Sequence, residues 1–476
     1  MTTALHAPTP QWRASPAERA ERGLAARAAL PRDRQAELVL PAGRRDLVSV
    51  MEERARTMVP ELVPVRYGRM MTSPFAFLRG SAAVMAADLG AAPVSGIAAQ
   101  VCGDAHLSNF GLFRTEERRL LFDLTDFDES VPGPWEWDLK RLAASIVVAG
   151  RGNDFSHRER RENVVKTVRR YRDATARFAA MRTLDVWYAR ADADEVRDVL
   201  RPMLGANPRR RGSAMAKARA NRSLKGLEHL AEVVDGRLRI RADPPLVVPL
   251  QELLCRPDRD DQESQVGHVL ARYRRRLTGE RRTLLNQFEV VDVARKLVGV
   301  GGVGTRCWIV LLRGRDAGEP LFLQVKEAQP SVLAPYAAVA VRRPIALQND
   351  AERVVAGQRL MQAGVDMFLG WQRIAGDGRM RDYYVRQLRD TEASADVERM
   401  DPHGMTAYGR LCGWTLARAH ARSGDPVAVS TYLGDDDVFP EAVAAYAEQY
   451  ADQTERDHAS LLAAVETGRL RATLGV

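Results

Sequence analysis

The sequence predicts an α+β protein with two lobes, one helical and one rich in β-strands. The chain has 476 residues, which is more than one hydrophobic core usually accommodates. Along the chain the residue patterns are helical, mixed, helical, β-rich and helical again. We therefore expect four segments: a polar, helical N-terminal arm (1–60), a helical region (61–285), a β-rich region (286–395) and C-terminal helices (396–476) that complete the helical lobe.

The composition argues against several classes of protein. A hydrophobic fraction of 45% with 28% charged residues is typical of soluble globular proteins, and no apolar run approaches the roughly 20 residues that span a bilayer. The segment "MTTALHAPTPQWRASPAERAERG" has no apolar signal core, so we expect a cytoplasmic protein without a membrane partner. The four cysteines form no CxxC pair, so neither a zinc knuckle nor a disulfide framework is expected. The net charge of +9 favours an anionic partner only weakly, because the arginines are spread along the chain; a nucleic-acid-associated protein is kept as a further alternative.

The first half of the chain is predicted to be mostly helical. Residues 16–57 read as helices interrupted by Pro31 and Pro41, and "SPFAFLRGSAAVMAADLG" has Ser-Pro at a helix start and Gly90 at its end. Two apolar runs, "IAAQVCGDAHLSNFGLFR" and "RLLFDLTDFDES", are joined by "TEER" and predict a β-hairpin after a loop. Further helices are expected over "PWEWDLKRLAASIVVAG" and over residues 157–190.

The second half contains the β-rich block. Before it, "GANPRRRGSAMAKARANRSLK" (205–225) is basic and poorly periodic, which favours a loop leading into a helix. Strands are predicted in "VVDVARKLVGVGGVGTRCWIVLLRG" and "PLFLQVKEA", followed by a helix at about 350–363 and a strand pair in "FLGWQRI" and "DYYVRQLRD". After residue 403 the pattern is helical.

The loop "CGDAHLSNFG" carries the first candidate catalytic residues. Asp104 and Asn109 have the D-x-x-x-x-N spacing of a kinase catalytic loop, in which the Asp accepts the proton of the attacking hydroxyl and the Asn amide oxygen binds Mg²⁺. His106, between them, is expected to have a structural role by bonding to the loop backbone. The same loop would also fit a capped turn without any catalytic role.

Two acidic residues downstream strengthen this pattern. Asp126, in "TDFDES", is positioned as a second ligand of the same Mg²⁺, a hard cation that prefers carboxylate and phosphate oxygens. Asp128 is an alternative ligand. Asp138, at the start of the helix that contains "WDLKRLA", is suited to support the loop by accepting its backbone N–H groups.

"CGDAHLSN", "TDFDE" and "WDLKRLA" together resemble the catalytic region of the aminoglycoside phosphotransferase and choline kinase branch of protein-kinase-like enzymes. That branch carries H-G-D-x-H-x-x-N, then a D-F or D-W acid, then a D-L-A helix; here Cys102 stands where many members have His. The resemblance implies a kinase-like fold that binds ATP and Mg²⁺. "GDAH" also matches the first element of the metallophosphatases, but their G-D-x-x-D and G-N-H elements do not appear in the sequence.

A glycine cluster in the β-rich block is the candidate phosphate clamp. "GVGGVG" fits G-x-G-x-x-G, whose backbone N–H groups can approach phosphates; its glycines are Gly299, Gly301, Gly302 and Gly304. The β-prone "CWIVLL" that follows favours a hairpin over a Rossmann turn. Lys326, in "LFLQVKEA", resembles the V-A-I-K lysine that contacts the α- and β-phosphates, and Glu352 on the next helix is its expected ion-pair partner. A glycine-rich hairpin beside a surface lysine fits the same residues.

The catalytic loop comes before the clamping block, which is the reverse of the kinase order. A circular permutation would produce this order without altering the assembled cleft, since the termini of compact domains often lie close together. The expected fold is therefore a circularly permuted protein-kinase-like fold with extra N-terminal helices. In it, Lys326 and Asp126 should face each other across one cleft that the glycine hairpin covers.

The chain is also similar, over about residues 45–465, to the uncharacterised bacterial family known as domain of unknown function 2252, through pieces such as "SPFAFLRG", "CGDAHLSNFG", "GVGGVGTRCW" and "LQVKEA". The resemblance implies a relationship to kinase-like folds but no particular substrate. The expected function is ATP-dependent transfer of the γ-phosphoryl group to a hydroxyl of a small molecule. A non-catalytic ATP-binding module and a nucleotidyl transferase that uses the same cleft stay open. Arg79 and Arg209 to Arg211 are candidates to face an anionic acceptor, with solvated charge as the simpler interpretation.

Overall fold

The computed structural model describes residues 14–192, 230–253, 259–297, 299–316, 318–341, 349–376, 379–388 and 393–475. The predicted mixture of helices and strands is confirmed, with several separate sheets. The basic segment 208–225, including Arg209 to Arg211, lies outside the described residues.

The helices that the later description uses are numbered in chain order. They are α1 (Pro16–Ala29), α2 (Leu47–Ala55), α3 (Val63–Met70), α4 (Pro74–Gly80), α5 (Ala82–Ala91), α6 (Trp135–Gly152), α7 (His157–Ala180), α8 (Thr183–Tyr188), α9 (Leu250–Leu253), α10 (Arg259–Arg276), α11 (Gly279–Leu285), α12 (Ala334–Val341), α13 (Asp350–Met361), α14 (Pro402–Ser423), α15 (Pro426–Leu433) and α16 (Val438–Glu466).

The strands are numbered in the same way. They are β1 (Ala98–Val101), β2 (Phe110–Arg114), β3 (Leu120–Leu124), β4 (Val131–Pro134), β5 (Ala191–Asp192), β6 (Ala231–Val234), β7 (Arg237–Ile240), β8 (Val247–Pro249), β9 (Glu289–Lys296), β10 (Cys307–Arg313), β11 (Pro320–Ala328), β12 (Gly370–Gly376), β13 (Arg379–Gln387) and β14 (Ala393–Ser394).

The largest sheet has six antiparallel strands in the order β12-β13-β11-β10-β9-β8. Strand β10 is apolar from Cys307 to Leu312 because both of its faces are covered. On β10, Val310 and Leu312 pack in the core that α10 joins, whereas Ile309 and Leu311 pack in a core shared with the β6–β7 hairpin. This alternation follows the two-residue period of a strand.

The β-rich lobe begins earlier in the chain than the predicted boundary at residue 286. Strand β8 pairs with β9, and Tyr273 of α10 packs in the same core as Trp308 of β10. The sequence pattern concealed this arrangement because β8 has only three residues and α10 carries many charged side chains.

The helical lobe is assembled from distant parts of the chain. Nearly every residue of α6 from Trp135 to Gly150 is buried, as expected for a helix at the centre of a lobe. The Trp135 ring stacks on Tyr171 of α7 with a centroid distance of 5.6 Å and lies 5.5 Å from the Phe439 ring of α16. The C-terminal helices α14 and α16 therefore share one core with α6 and α7.

Helices α2 to α5 contribute to a smaller core against the end of α16, and α4 and α5 also contribute to the main core. Leu47, Phe77 and Leu461 share the smaller core, and Arg44 forms ion pairs with Asp88 at 2.8 Å and with Asp457 at 2.6 Å. Within the described ranges, none of the helices combines the length and the apolar composition that crossing a membrane requires.

Candidate functional site

The acid–amide loop and the "TDFDES" segment lie side by side because of how their flanking strands pair. Strand β1, which precedes the loop, pairs with β4, and Val101 is the partner of Val131. Strand β2, which follows the loop, pairs with β3, and Phe110 is the partner of Leu124. The loop (102–109) and the acidic segment (125–130) are therefore bounded by the same two strand pairings.

The backbone of the loop is held in place by the buried carboxylate of Asp138. Both Asp138 oxygens accept backbone hydrogen bonds, from Cys102 N at 2.8 Å and from Gly103 N at 2.9 Å. Asp138 Oδ2 also lies 3.2 Å from Nε2 of His420, whose other ring nitrogen lies 2.9 Å from the Tyr171 hydroxyl. Gly103 has a φ of +83°, and an added Cβ would lie 2.3 Å from the carbonyl oxygen of Glu129, so a side chain would not fit there.

Asp104 projects from this loop and is paired with an arginine that the sequence interpretation missed. Arg141 of α6 donates from Nε to Asp104 Oδ1 at 2.8 Å, and its Nη2 lies 2.7 Å from the same oxygen. Burial raises the pKa of Asp104, and the charge of Arg141 opposes this shift. Arg141 lies one helical turn after Asp138, so both side chains point to the same loop, and this spacing was the signal that could have found it.

The two polar neighbours of Asp104 are held within the loop. His106 Nε2 lies 3.6 Å from Asp104 Oδ2, and burial, followed by the charges of Arg141 and Arg79, lowers the pKa of His106 well below its ordinary value, which keeps the ring neutral. Asn109 donates from Nδ2 to the Asp104 carbonyl at 2.8 Å. This leaves the amide oxygen of Asn109 as the atom suited to a cation.

The two aspartates of "TDFDES" have different partners. Asp128 forms an ion pair with Lys326 and accepts a hydrogen bond of 2.9 Å from the Tyr384 hydroxyl. Burial alone would raise the pKa of Asp128, but the charge and hydrogen bonds of its partners lower it. Asp126 accepts only the backbone N–H of Asp128, at 3.0 Å, within the described part of the chain. Burial, and then the charge of Asp128, raises the pKa of Asp126.

Lys326 comes from the six-stranded sheet and connects it to the acidic segment. It lies on β11 opposite Cys307 of β10, with its side chain 5% exposed. Burial alone would lower the pKa of Lys326, but the attraction of Asp128 raises it well above its ordinary value. The expected pairing with Glu352 is not observed: Lys326 pairs with Asp128, while the backbone N–H of Glu352 bonds to Asn349 at the start of α13. Glu327 instead forms ion pairs with Arg306 and Arg381.

The glycine turn joins β9 to β10 and is fastened by α3. Arg66 donates from Nη1 to the carbonyl of Val303 at 3.1 Å and to that of Gly301, and from Nη2 to Gly80 O at 2.7 Å. Burial lowers the pKa of Arg66 to about 10. For the N–H groups of Gly301 and Gly302, no hydrogen-bond acceptor is found among the described residues. Because Arg66 holds carbonyl groups of the turn, these N–H groups are available to a ligand.

The outer glycines of the turn have positive φ values. They are Gly299 with φ +60° and Gly304 with φ +102°. The Gly304 carbonyl accepts the N–H of Val59 at 2.8 Å, and an added Cβ on Gly304 would lie 2.7 Å from the sulfur of Met58. These two glycines therefore shape and dock the turn, whereas Gly301 and Gly302 line the cleft below it.

One cleft is lined by several of these residues, but not by Asn109, Lys326 or Glu352. Its lining includes Asp104, Asp126, Asp128, Gly301 and Gly302. Lys326 contacts the lining residue Asp128 through an ion pair, whereas Asp138 and His106 are buried and do not line the cleft. Much of the remaining wall comes from the N-terminal helices and includes Arg54, Arg66 and Arg79. No sequence signal linked Arg54 and Arg66 to the site.

The acidic side of the cleft is suited to a magnesium ion only when a ligand adds oxygens. Within the described ranges, no three His, Cys, Asp or Glu side chains form a metal site by themselves. Asp126, however, is a carboxylate next to a second carboxylate and has only one backbone donor. A divalent cation would relieve the repulsion between Asp126 and Asp128, and phosphate oxygens would complete its coordination.

Comparison with known proteins supports the sequence resemblance at the level of the family. No curated protein and no solved structure matches the chain. The family described as "Uncharacterized protein conserved in bacteria (DUF2252)" matches residues 56–464, a range that contains the acid–amide loop, the acidic segment, the glycine turn and Lys326. Because this match covers most of the sequence, the chain belongs to the bacterial DUF2252 family.

Proposed function

We propose that the protein is an ATP-dependent phosphotransferase with a circularly permuted, protein-kinase-like arrangement. One observation carries the proposal: Lys326, on the strand that ends the β9-β10-β11 meander, forms an ion pair with Asp128, two residues from Asp126. In a kinase these two groups must lie close together, because the strand lysine holds the α- and β-phosphates while an aspartate of the other lobe binds the metal. The glycine turn bordering the same cleft adds support.

The proposed roles follow from the contacts of each side chain. Asp104 accepts the proton of the acceptor hydroxyl, and its raised pKa makes it a better base than an ordinary aspartate. Arg141 orients the Asp104 carboxylate. Lys326 and the N–H groups of Gly301 and Gly302 hold the phosphates. Asp126 and the Asn109 amide oxygen bind Mg²⁺, which neutralises charge on the phosphates when it is bound.

A single-turnover assay with labelled ATP and a pool of hydroxyl-bearing metabolites tests this function. We expect label from the γ-position to appear on an acceptor in the presence of Mg²⁺. Transfer of α-label instead would identify a nucleotidyl transferase, and binding of ATP without any transfer would identify a binding module. If the protein does not bind Mg-ATP at all, the proposal is wrong.

The variant Asp104→Asn separates chemistry from binding. Loss of a general base typically lowers turnover about 100- to 10,000-fold, while Mg-ATP affinity should stay within a few-fold because the phosphates and metal have other ligands. Asp173→Asn, at an exposed position on α7, is the control and should behave as wild type. Near-wild-type turnover in Asp104→Asn would remove Asp104 from its role.

A further inference from the structure

One cationic side chain of the cleft, Arg79, forms no hydrogen bond or ion pair with any residue that the structure describes. Three arginines of the N-terminal helices line the cleft. Arg66 donates to backbone carbonyls of the glycine turn, and Arg54 lies 3.5 Å from Glu129. The Arg79 side chain makes no hydrogen bond or ion pair with any described residue: its guanidinium lies 6.0 Å from the centre of the Phe75 ring, and its Nε is buried without an acceptor.

An arginine in this environment is suited to an anion that a ligand supplies. Burial, the largest cause, lowers the pKa of Arg79; the charges of Glu398 and Asp104 oppose this shift, but neither carboxylate forms an ion pair with Arg79. A desolvated charge without a hydrogen-bonding partner is costly, and protein guanidinium groups are normally matched with carboxylate or phosphate. Because Arg79 faces an open cleft, a bound ligand can supply this anion.

The charges of the cleft fall into two groups. Lys326 and Arg386 are the cations that act most on Asp126 and Asp128. Arg141 and Arg79 are those that act most on Asp104. Arg79 therefore belongs to the side of the cleft where the general base lies, not to the side where Lys326 lies.

We propose that the acceptor substrate carries an anionic group, a carboxylate or a phosphate, which Arg79 binds so that the acceptor hydroxyl meets Asp104. This inference rests on the proposed phosphotransferase function. In the transfer, the acceptor oxygen forms a bond to the γ-phosphorus, the bond from that phosphorus to the ADP oxygen breaks, and the hydroxyl proton passes to Asp104. A cationic acceptor such as choline would be repelled by Arg79.

The test uses inorganic phosphate and, separately, acetate as probes of this anion site. Each is titrated by calorimetry into the full chain saturated with Mg²⁺ and the non-hydrolysable ATP analogue AMP-PNP, whose own γ-phosphate already occupies the position of the transferred group. Arg79→Met keeps the apolar stem but removes the charge, and we expect it to weaken binding of the preferred probe at least tenfold. Arg56→Met, at an exposed position after α2, is the matched control and should leave binding unchanged.

The relative affinities of phosphate and acetate in the wild type identify the anionic group. Binding of neither probe to the wild type, or equal binding to wild type and Arg79→Met, would overturn the inference. So would a loss of AMP-PNP affinity in Arg79→Met with intact probe binding, since Arg79 would then serve the nucleotide. If Arg79→Met does not fold, Arg79→Lys replaces it: this variant lacks the bidentate fork, so we expect about threefold or greater weakening, and unchanged affinity would contradict the inference.

Failure of the proposed function gives a different result. If the wild type binds no Mg-AMP-PNP, the phosphotransferase is excluded and the acceptor assignment with it. Phosphate titrated without nucleotide would then still report whether Arg79 binds an anion. If AMP-PNP binds and only the probe titrations fail, the phosphotransferase stands and the anionic acceptor is rejected.

Discussion

Replacing Asp138 by alanine tests how the acid–amide loop is supported. The substitution removes the acceptor of the Cys102 and Gly103 N–H groups, at 2.8 and 2.9 Å, from a site where Asp138 is 1% exposed. An unsatisfied buried donor costs roughly 1–3 kcal/mol, so the two together cost roughly 2–6 kcal/mol, before any loss at His420. Since the free energy of unfolding of a native domain is only about 5–15 kcal/mol, Asp138→Ala should lose a substantial part of its stability.

Two milder substitutions provide reference values for the free energy of unfolding that Asp138→Ala loses. Asp138→Asn keeps one acceptor oxygen but turns an NH₂ group toward the second N–H, so its loss should fall between those of wild type and Asp138→Ala. Ser145→Ala removes the acceptor of the Leu107 N–H, at 3.1 Å, and the hydroxyl that donates to the Leu142 carbonyl, at 2.7 Å, and should cost about 1–2 kcal/mol. Urea unfolding gives the free energies, and hydrogen exchange at residues 102 and 103 reports the loop. If Asp138→Ala is as stable as wild type and both amides stay protected, the reasoning is refuted.

The other predictions concern the charges of the cleft. Lys326→Met should weaken Mg-ATP binding at least tenfold in a titration, because it removes the cation that holds the phosphates; unchanged affinity would exclude that role. Asp126→Asn should raise the Mg²⁺ concentration needed for nucleotide binding, and an unchanged requirement would rule it out as a ligand. The pKa of Asp128 is lower in the folded protein than the ordinary value of about 3.9, so ionised Asp128 stabilises the fold at pH values above about 3.9. This stabilisation is lost as the pH falls through the lowered pKa. The difference in melting temperature between wild type and Asp128→Asn should therefore be largest at neutral pH and shrink below about pH 4; a constant difference would contradict this. Arg141→Ala should move the acid limb of the pH–rate profile to higher pH, because Arg141 lowers the pKa of Asp104. An unchanged acid limb would indicate that Arg141 has only a structural role.

Residues that act within a few positions of each other were the most predictable from sequence. The strand pattern around "TEER" predicted the β2–β3 hairpin, and the spacing of the acid–amide loop indicated where its polar groups would lie. The position of Asp138 at a helix start agrees with its hydrogen bonds to the loop backbone. These features depend on local periodicity and on capping chemistry, both of which are visible in a short window of sequence.

Contacts between distant segments were the least predictable. The pairing of Lys326 with Asp128 rather than Glu352 depends on how the sheet is seated on the helical lobe, and no spacing rule encodes that. Arg66 lies on a short helix that looked unrelated to the cleft, yet it fastens the glycine turn. Which of several arginines is paired, and which, like Arg79, has a side chain without a hydrogen bond or ion pair among the described residues, depends on the assembled fold.

The sequence separations across the cleft also bear on the order in which the protein forms during synthesis. Arg66 contacts a residue 235 positions later, Asp128 contacts one 198 positions later, and Asp138 contacts His420 at a separation of 282. A ribosome must therefore release α14 before the support of the loop is complete. Until then, Asp138 lacks its contact with His420. The helical part of the protein is also incomplete beside the sheet that carries the glycine turn. Such non-local pairings fold slowly and leave apolar surface exposed for longer, so we expect this chain to depend on chaperones until its last helices emerge.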